Sequence, residues 1–242
     1  MKLASIWRHP IKAIGREEMA SATLEAGRTL PLDRRWAVTH GKTRDTGPGW
    51  AKKANFLRGV SGPQLMAVTA RTHGQTITLS HPEQADLTLN PDTDADTLLP
   101  WLDPLWPQDL PRPTGIATCA TGFTDVPDPW ISIHNLASHR AVEGRLGTQL
   151  SIHRWRGNLW LDGMDLWHEF DLVGRALRIG EATLHVHERI TRCRATEANP
   201  ETGERDADTL RALRNWDHQD FGIYAEVVEG GPIAPGAPVT LL

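Results

Sequence analysis

Thr183-Leu184-His185-Val186-His187-Glu188-Arg189-Ile190-Thr191-Arg192-Cys193-Arg194-Ala195-Thr196 reads as a strand that ends in a cysteine held between two arginines. Successive side chains of a strand point to opposite faces. Leu184, Val186 and Ile190 share one parity and form the core-facing row. His185, His187, Arg189, Thr191 and Cys193 share the other, which places Cys193 on the polar side. A bulge at Glu188-Arg189 would insert one residue and exchange the faces. Cations stabilise a thiolate, and a thiolate is a nucleophile, a redox centre or a soft metal ligand. The other cysteine, Cys119, lies in the uncharged stretch Ala117-Thr118-Cys119-Ala120-Thr121. Cys193 is therefore the candidate reactive sulfur.

Working outward, Leu177-Arg178-Ile179 is a second short strand, separated from the first by Gly180-Glu181. Residues 223–228 and 239–242 are strand-like, with Gly and Pro between them. Residues 130–134 read as a strand, after which Asn135 caps a helix to about Leu146, with Gly147 as its stop. Asp206 or Asp208 caps a further helix containing Leu210 and Leu213. Earlier in the chain, residues 3–7, 35–39, 65–72, 75–80 and 86–90 read as short strands, with a hairpin turn at His73-Gly74. Between these halves stand Pro91, Pro100, Pro104, Pro107, Pro111 and Pro113. Asp92 or Thr93 caps a short helix to about Leu102, and beyond it the prolines forbid regular structure. This segment carries Trp101, Leu105 and Trp106, so it packs down. The expectation is an α+β, mainly β chain, with a β-rich N-terminal domain over 1–113, including a Pro-rich connection at 91–113, and a second domain over 114–242.

Composition narrows the function. The 242 residues are 39% hydrophobic and carry a formal net charge of -4, against a general nucleic-acid binder but compatible with a local basic cavity for a small anion. Two cysteines build no disulfide framework. Met1 to Pro10 lack an apolar signal core, and no apolar run approaches the ~20 residues of a membrane span, so a cytoplasmic location with reduced thiols and no membrane contact is expected. His185, His187 and Cys193 suggest zinc but offer no fourth ligand. Asp92, Asp94 and Asp96 have calcium-loop spacing, but Thr97 stands where the loop needs glycine and Asp103 where it needs glutamate. Phosphate-binding Walker, dinucleotide and serine-hydrolase motifs are absent.

The second half resembles the MOSC domain, the C-terminal domain of molybdenum cofactor sulfurases. The resemblance rests on Arg154-Trp155-Arg156-Gly157-Asn158-Leu159, then Leu177 to Gly180, then Arg192-Cys193-Arg194-Ala195-Thr196 with Pro200-Glu201-Thr202-Gly203. It continues through Phe221-Gly222-Ile223-Tyr224-Ala225 and closes with Gly230-Gly231-Pro232-Ile233 to Leu242. His9-Pro10-Ile11-Lys12 and Leu32-Asp33-Arg34-Arg35-Trp36 resemble the β-barrel-like N-terminal domain that often precedes it. The chain departs from the family pattern at Ala13, Gly157, His134-Asn135 and Gly236-Ala237.

The resemblance, which extends to the amidoxime-reducing component, implies a molybdenum-cofactor-binding reductase of N-hydroxylated compounds. It makes Cys193 the catalytic metal ligand and assigns cofactor contacts to Lys12, Arg34, His134, Asn135, Arg156, Asn158, Arg192 and Tyr224. It also implies a small-molecule N-hydroxylated substrate and a separate electron-donor protein of flavodoxin, ferredoxin or cytochrome type. Two alternatives stand beside it: a sulfur carrier working through a Cys193 persulfide, and a non-catalytic carrier of molybdenum cofactor. The residues also admit plain readings. Tyr224 suits packing, Asn158 a turn, His134 a structural role, and the arginines ion pairs with Glu188, Glu197 or Glu201.

Overall fold

The computed structural model describes residues 1–44, 46–47 and 49–242. In chain order the first half holds β1 (Lys2–Arg8), β2 (Glu17–Met19), β3 (Ala22–Leu24), β4 (Trp36–His40), β5 (Thr69–His73), β6 (Thr76–His81), β7 (Gln84–Leu89), α1 (Ala95–Leu102) and β8 (Pro113–Thr118). The second half holds β9 (Ile131–Asn135), α2 (Leu136–Leu146), β10 (Leu159–Asp162), β11 (Ala176–Ile179), β12 (Ala182–Thr191), α3 (Thr209–Leu213), β13 (Asp220–Glu229), β14 (Gly231–Ile233) and β15 (Val239–Leu241). The chain is α+β and mainly β.

One eight-stranded sheet dominates, ordered β15-β11-β12-β13-β9-β10-β1-β2. Strand pairing therefore crosses the division expected at 113/114. The N-terminal β1 pairs antiparallel with β10, β3 pairs with β14, and β8 returns to pair with β4. Leu3 and Ile6 of β1 are fully buried in the same core as Ile133, Leu159, Leu184 and Ile223. A second core gathers Trp36, Val38, Leu65, Ile77, Leu79, Leu98, Leu102 and Trp106. The proline-rich segment is thus part of the N-terminal core.

Local signals explain most elements. The Asn135 side chain accepts from Ala137 N and opens α2, and Gly147 closes it at φ 67°. Asp208 opens α3 by accepting from Arg211 N. Three expectations need correction. Residues 63–67 form a 3-10 turn led by Pro63 rather than strand, because Leu65, Met66 and Ala67 are all buried there. The β5–β6 loop is Gly74-Gln75, one residue later than expected. Asp94, rather than Asp92 or Thr93, stands at the N-cap position of α1, where its side chain accepts from Asn90 N at 2.8 Å and makes no cap hydrogen bond to the helix; Asp92 accepts from Trp36 Nε1 at 2.7 Å, which also ends the calcium-loop reading.

The face alternation of β12 holds at Leu184, Val186 and Ile190, exposed by 0%, 0% and 5%. The pairing with β13 shifts register between Val186 and Glu188 and again between Arg189 and Thr191. These irregularities expose Glu188 and Arg189 together and end the strand with Cys193 exposed.

Candidate functional site

A cavity of about 630 Å3 opens where residues from both halves meet. Lys12, Arg34, Lys53 and Arg58 come to it from the first half; Asp125, Trp130, Arg156, Asn158, Arg192, Cys193 and Tyr224 come from the second. The structure thus gathers Cys193, Lys12, Arg34, Arg156, Asn158, Arg192 and Tyr224 on one surface. It does not bring His134 and Asn135 there. His134 is wholly buried behind the wall, and Asn135 is committed to α2, donating to Asp165 O at 2.7 Å and to Glu169 Oε2 at 2.8 Å.

Cys193 follows the end of β12 and heads a 3-10 turn over Arg194–Glu197. Its carbonyl accepts from Thr196 N at 3.2 Å and Thr196 Oγ1 at 3.1 Å, which fixes the backbone while the side chain stays exposed. Cys119 is buried at 1% exposure and plays no part in the cavity.

The cations differ in what they have left to give. Lys12 Nζ, with three donors, meets Phe123 O at 2.8 Å, Thr124 O at 3.4 Å and Asp125 Oδ1 at 2.5 Å. Burial lowers its pKa and Asp125 partly restores it. Arg34 pairs with the buried Asp33 carboxylate and donates to Arg156 O at 3.0 Å. Burial opposes its charge, but Asp33 and Asp125 outweigh burial and raise its pKa. Arg192 donates to Phe221 O, to Trp155 O at 2.9 Å and to His134 Nε2. Arg156 makes a single donation, to Gly15 O at 3.3 Å, and has no carboxylate partner among the described residues. Its other N–H groups are free to meet a ligand. Burial, then the neighbouring Arg34, lowers Arg156 to about 9; burial lowers Arg192 to about 10. Both remain charged at neutral pH.

Backbone strain accompanies this placement. Ala13, Arg34 and Arg156 all line the cavity with φ of 65°, 52° and 49°, a region that costs a non-glycine residue energy unless its surroundings enforce it.

The plain readings of three residues can be weighed. Asn158 lines the cavity, yet its amide binds Ser132 Oγ at 2.9 Å and Trp7 O at 3.1 Å, so it ties β1, β9 and β10 together. Tyr224 faces the cavity; burial, then Asp125, pushes its hydroxyl up to about 12, so it stays a donor. Glu197 pairs with Arg194 and not with Arg192. The zinc reading is not supported: His187 bonds Glu226 at 3.0 Å and stacks on Trp130, and no three potential ligands gather among the described residues. Lys53, Arg58, Asp125 and Trp130 were not expected. Lys53 and Arg58 lie in a stretch without periodicity, and Asp125 in a loop with no recognisable turn.

Comparison with known families matches residues 122–240 to the MOSC domain and residues 1–101 to the MOSC N-terminal beta barrel domain. The chain is a MOSC protein. No curated protein matches it. Among solved structures, the YUAD protein from Bacillus subtilis is similar over 98% of this chain and 93% of that one, at 14% identity and a TM-score of 0.50, a likeness of fold. YiiM from Geobacillus stearothermophilus is similar at 21% identity over 46% of this chain, with a TM-score of 0.38. The chain spans 53% of that YiiM. Within the MOSC pattern, the departure at Gly236-Ala237 lies away from the cavity, where Leu3 N donates to Ala237 O at 2.9 Å. No helix among the described residues is long and apolar enough to cross a membrane.

Proposed function

We propose that the cavity holds molybdenum cofactor, with the Cys193 sulfur as the protein's ligand to the metal, and that the protein reduces N-hydroxylated small molecules. The observation that carries this reading is Arg156, charged, without a carboxylate partner and with unspent N–H groups, in the same cavity as the exposed Cys193 thiol. The donor set fits the group. A soft thiolate suits a metal already held by sulfur, and guanidinium N–H groups suit a phosphate. The MOSC domain is named for molybdenum cofactor sulfurases, which agrees with this chemistry. When bound, the cofactor supplies two-electron oxygen-atom chemistry.

The chain's own residues then bind and orient. Arg156 receives the phosphate, and Arg34, neutralised by Asp33, holds the Arg156 backbone by donating to its carbonyl. Tyr224 presents an O–H donor, and the Trp130 ring, stacked on His187 at 4.5 Å, gives the substrate a flat wall. The net reaction consumes two electrons and two protons, breaks the N–O bond of R–NH–OH and yields R–NH2 and water. The electrons come from a separate donor protein of flavodoxin, ferredoxin or cytochrome type.

The test is turnover of benzamidoxime by purified holoprotein with an artificial electron donor. Benzamidine should form with the wild type and not with Cys193→Ala. Cyanide-labile sulfur in a molybdenum-free protein would identify a persulfide carrier instead. Bound cofactor without turnover would identify a cofactor carrier.

A further inference from the structure

The wall behind Cys193 holds a side chain that the proposed chemistry leaves unused. His134 is fully buried on β9, with its ring in a slot between two glycines. A Cβ at Gly157 would stand 2.5 Å from His134 Nδ1, and one at Gly222 would stand 2.7 Å from Cδ2. Trp160 and Phe221 close the slot, with ring centroids 4.9 and 5.6 Å away. Nδ1 has no partner among the described residues, while Nε2 meets the Arg192 guanidinium. A guanidinium has no acceptor, so Nε2 must accept, and the imidazole is neutral with its proton on Nδ1.

Arg192 is consequently fixed from several sides. It donates to Phe221 O, to Trp155 O and to His134, and sits over the Trp155 and Phe221 rings at 5.8 and 5.9 Å. All of these hydrogen-bond partners are uncharged, and no carboxylate forms an ion pair with Arg192 among the described residues; Asp125 acts on it only through space. Cys193 is the next residue and lines the same cavity. A carboxylate in place of His134 would hold the guanidinium equally well but cancel its charge. An imidazole holds it and leaves the charge intact.

We infer that His134 is a positioning residue: by accepting from Arg192 it keeps an unneutralised guanidinium beside the Cys193 sulfur and so sets the positive field in which that sulfur works. This rests on the reading of Cys193 as the working sulfur. It also accounts for one departure from the family pattern. That departure is Gly157, where the His134 ring occupies the space a side chain would need.

The test uses cofactor-free protein at one pH. Cys193 is alkylated with iodoacetate, an anion, and with iodoacetamide, its neutral counterpart. Both consume the same thiolate, so the ratio of their rates cancels its population and reads the local field. Relative to glutathione, the wild-type ratio should favour iodoacetate. His134→Leu should move it several-fold toward the glutathione value, and His134→Gln, whose amide oxygen can accept, should keep it. Gly157→Ala, which displaces the ring with His134 still present, should act in the same direction as His134→Leu. Cys119, 1% exposed, serves as the internal control, since it stays unmodified while the fold is intact. A wild-type ratio equal to that of glutathione overturns the inference. So does an unchanged ratio in His134→Leu or Gly157→Ala with Cys119 protected. A protein that takes up no molybdenum but shows these shifts would keep this inference and lose the reductase reading.

Discussion

At the scale of single residues, the sequence named the cations but not their availability. The resemblance grouped Lys12, Arg34, Arg156 and Arg192, and the structure sets them in one cavity. Only a three-dimensional count of acceptors separates them: Lys12 is consumed by Asp125 and two carbonyls, whereas Arg156 keeps most of its donors. Asp125 was invisible because its partner lies far away in sequence. The distinction makes a prediction. Arg156→Ala should weaken cofactor retention by about 1.5–3 kcal/mol, the worth of a charged hydrogen bond, or roughly ten- to a hundred-fold. Pterin content after equal dialysis of wild type and variant checks this, and equal retention would count against Arg156 as the phosphate contact.

At the scale of elements, signals that act over a few residues were legible. Asn135, Gly147 and Asp208 bound their helices as their chemistry requires, and the alternation of Leu184, Val186 and Ile190 set the inner face of β12. Two register shifts of β12 flank Glu188-Arg189, the position where the sequence admits a bulge, but their number and their effect on the faces depend on the partner strand β13. The resemblance assigns Asn135 to the cofactor, whereas the structure commits its side chain to capping α2 and to Asp165 and Glu169; a helix cap and a ligand contact draw on the same residue types. Asn135→Ala should cost more than the about 0.5–2 kcal/mol of a lost cap, because Asp165 O and the buried Glu169 carboxylate lose a donor as well. Thermal unfolding should show it as a fall of a few degrees, with molybdenum content unchanged; loss of molybdenum in a folded variant would restore Asn135 to the site. Gly222→Ala should be more damaging. Its φ is 78°, and an added Cβ would meet Ile133 O at 2.8 Å as well as the His134 ring.

At the scale of the molecule, the halves visible in sequence are not independent sheets. Leu3 and Ile6 of β1 are buried in the second half's core, and β1 covers the edge of β10. A fragment of residues 114–242 should therefore fail to give a cooperative unfolding transition, whereas a sharp two-state melt would contradict that dependence. The long sequence separation of these strands hid the pairing. Buried imidazoles also give the whole molecule a pH dependence. Burial, then Arg16 and Arg156, holds His153 down to about 4, and burial with Arg156 and Arg34 holds His9 well below its ordinary value. The unfolded chain binds those protons near pH 6.5 and the folded chain only at lower pH, so stability falls as pH drops from about 6.5 toward 4. The urea midpoint should be lower at pH 5 than at pH 7, with a smaller difference in His153→Gln. The claim beneath all of this is that one cation-walled cavity presents Cys193 to a sulfur-held metal. Its most direct test is molybdenum and pterin analysis of wild type and Cys193→Ser, both purified from a host that makes the cofactor. The account predicts near-stoichiometric molybdenum with pterin in the wild type and loss of the metal in the variant; a wild type without molybdenum, or equal metal in both proteins, would contradict it.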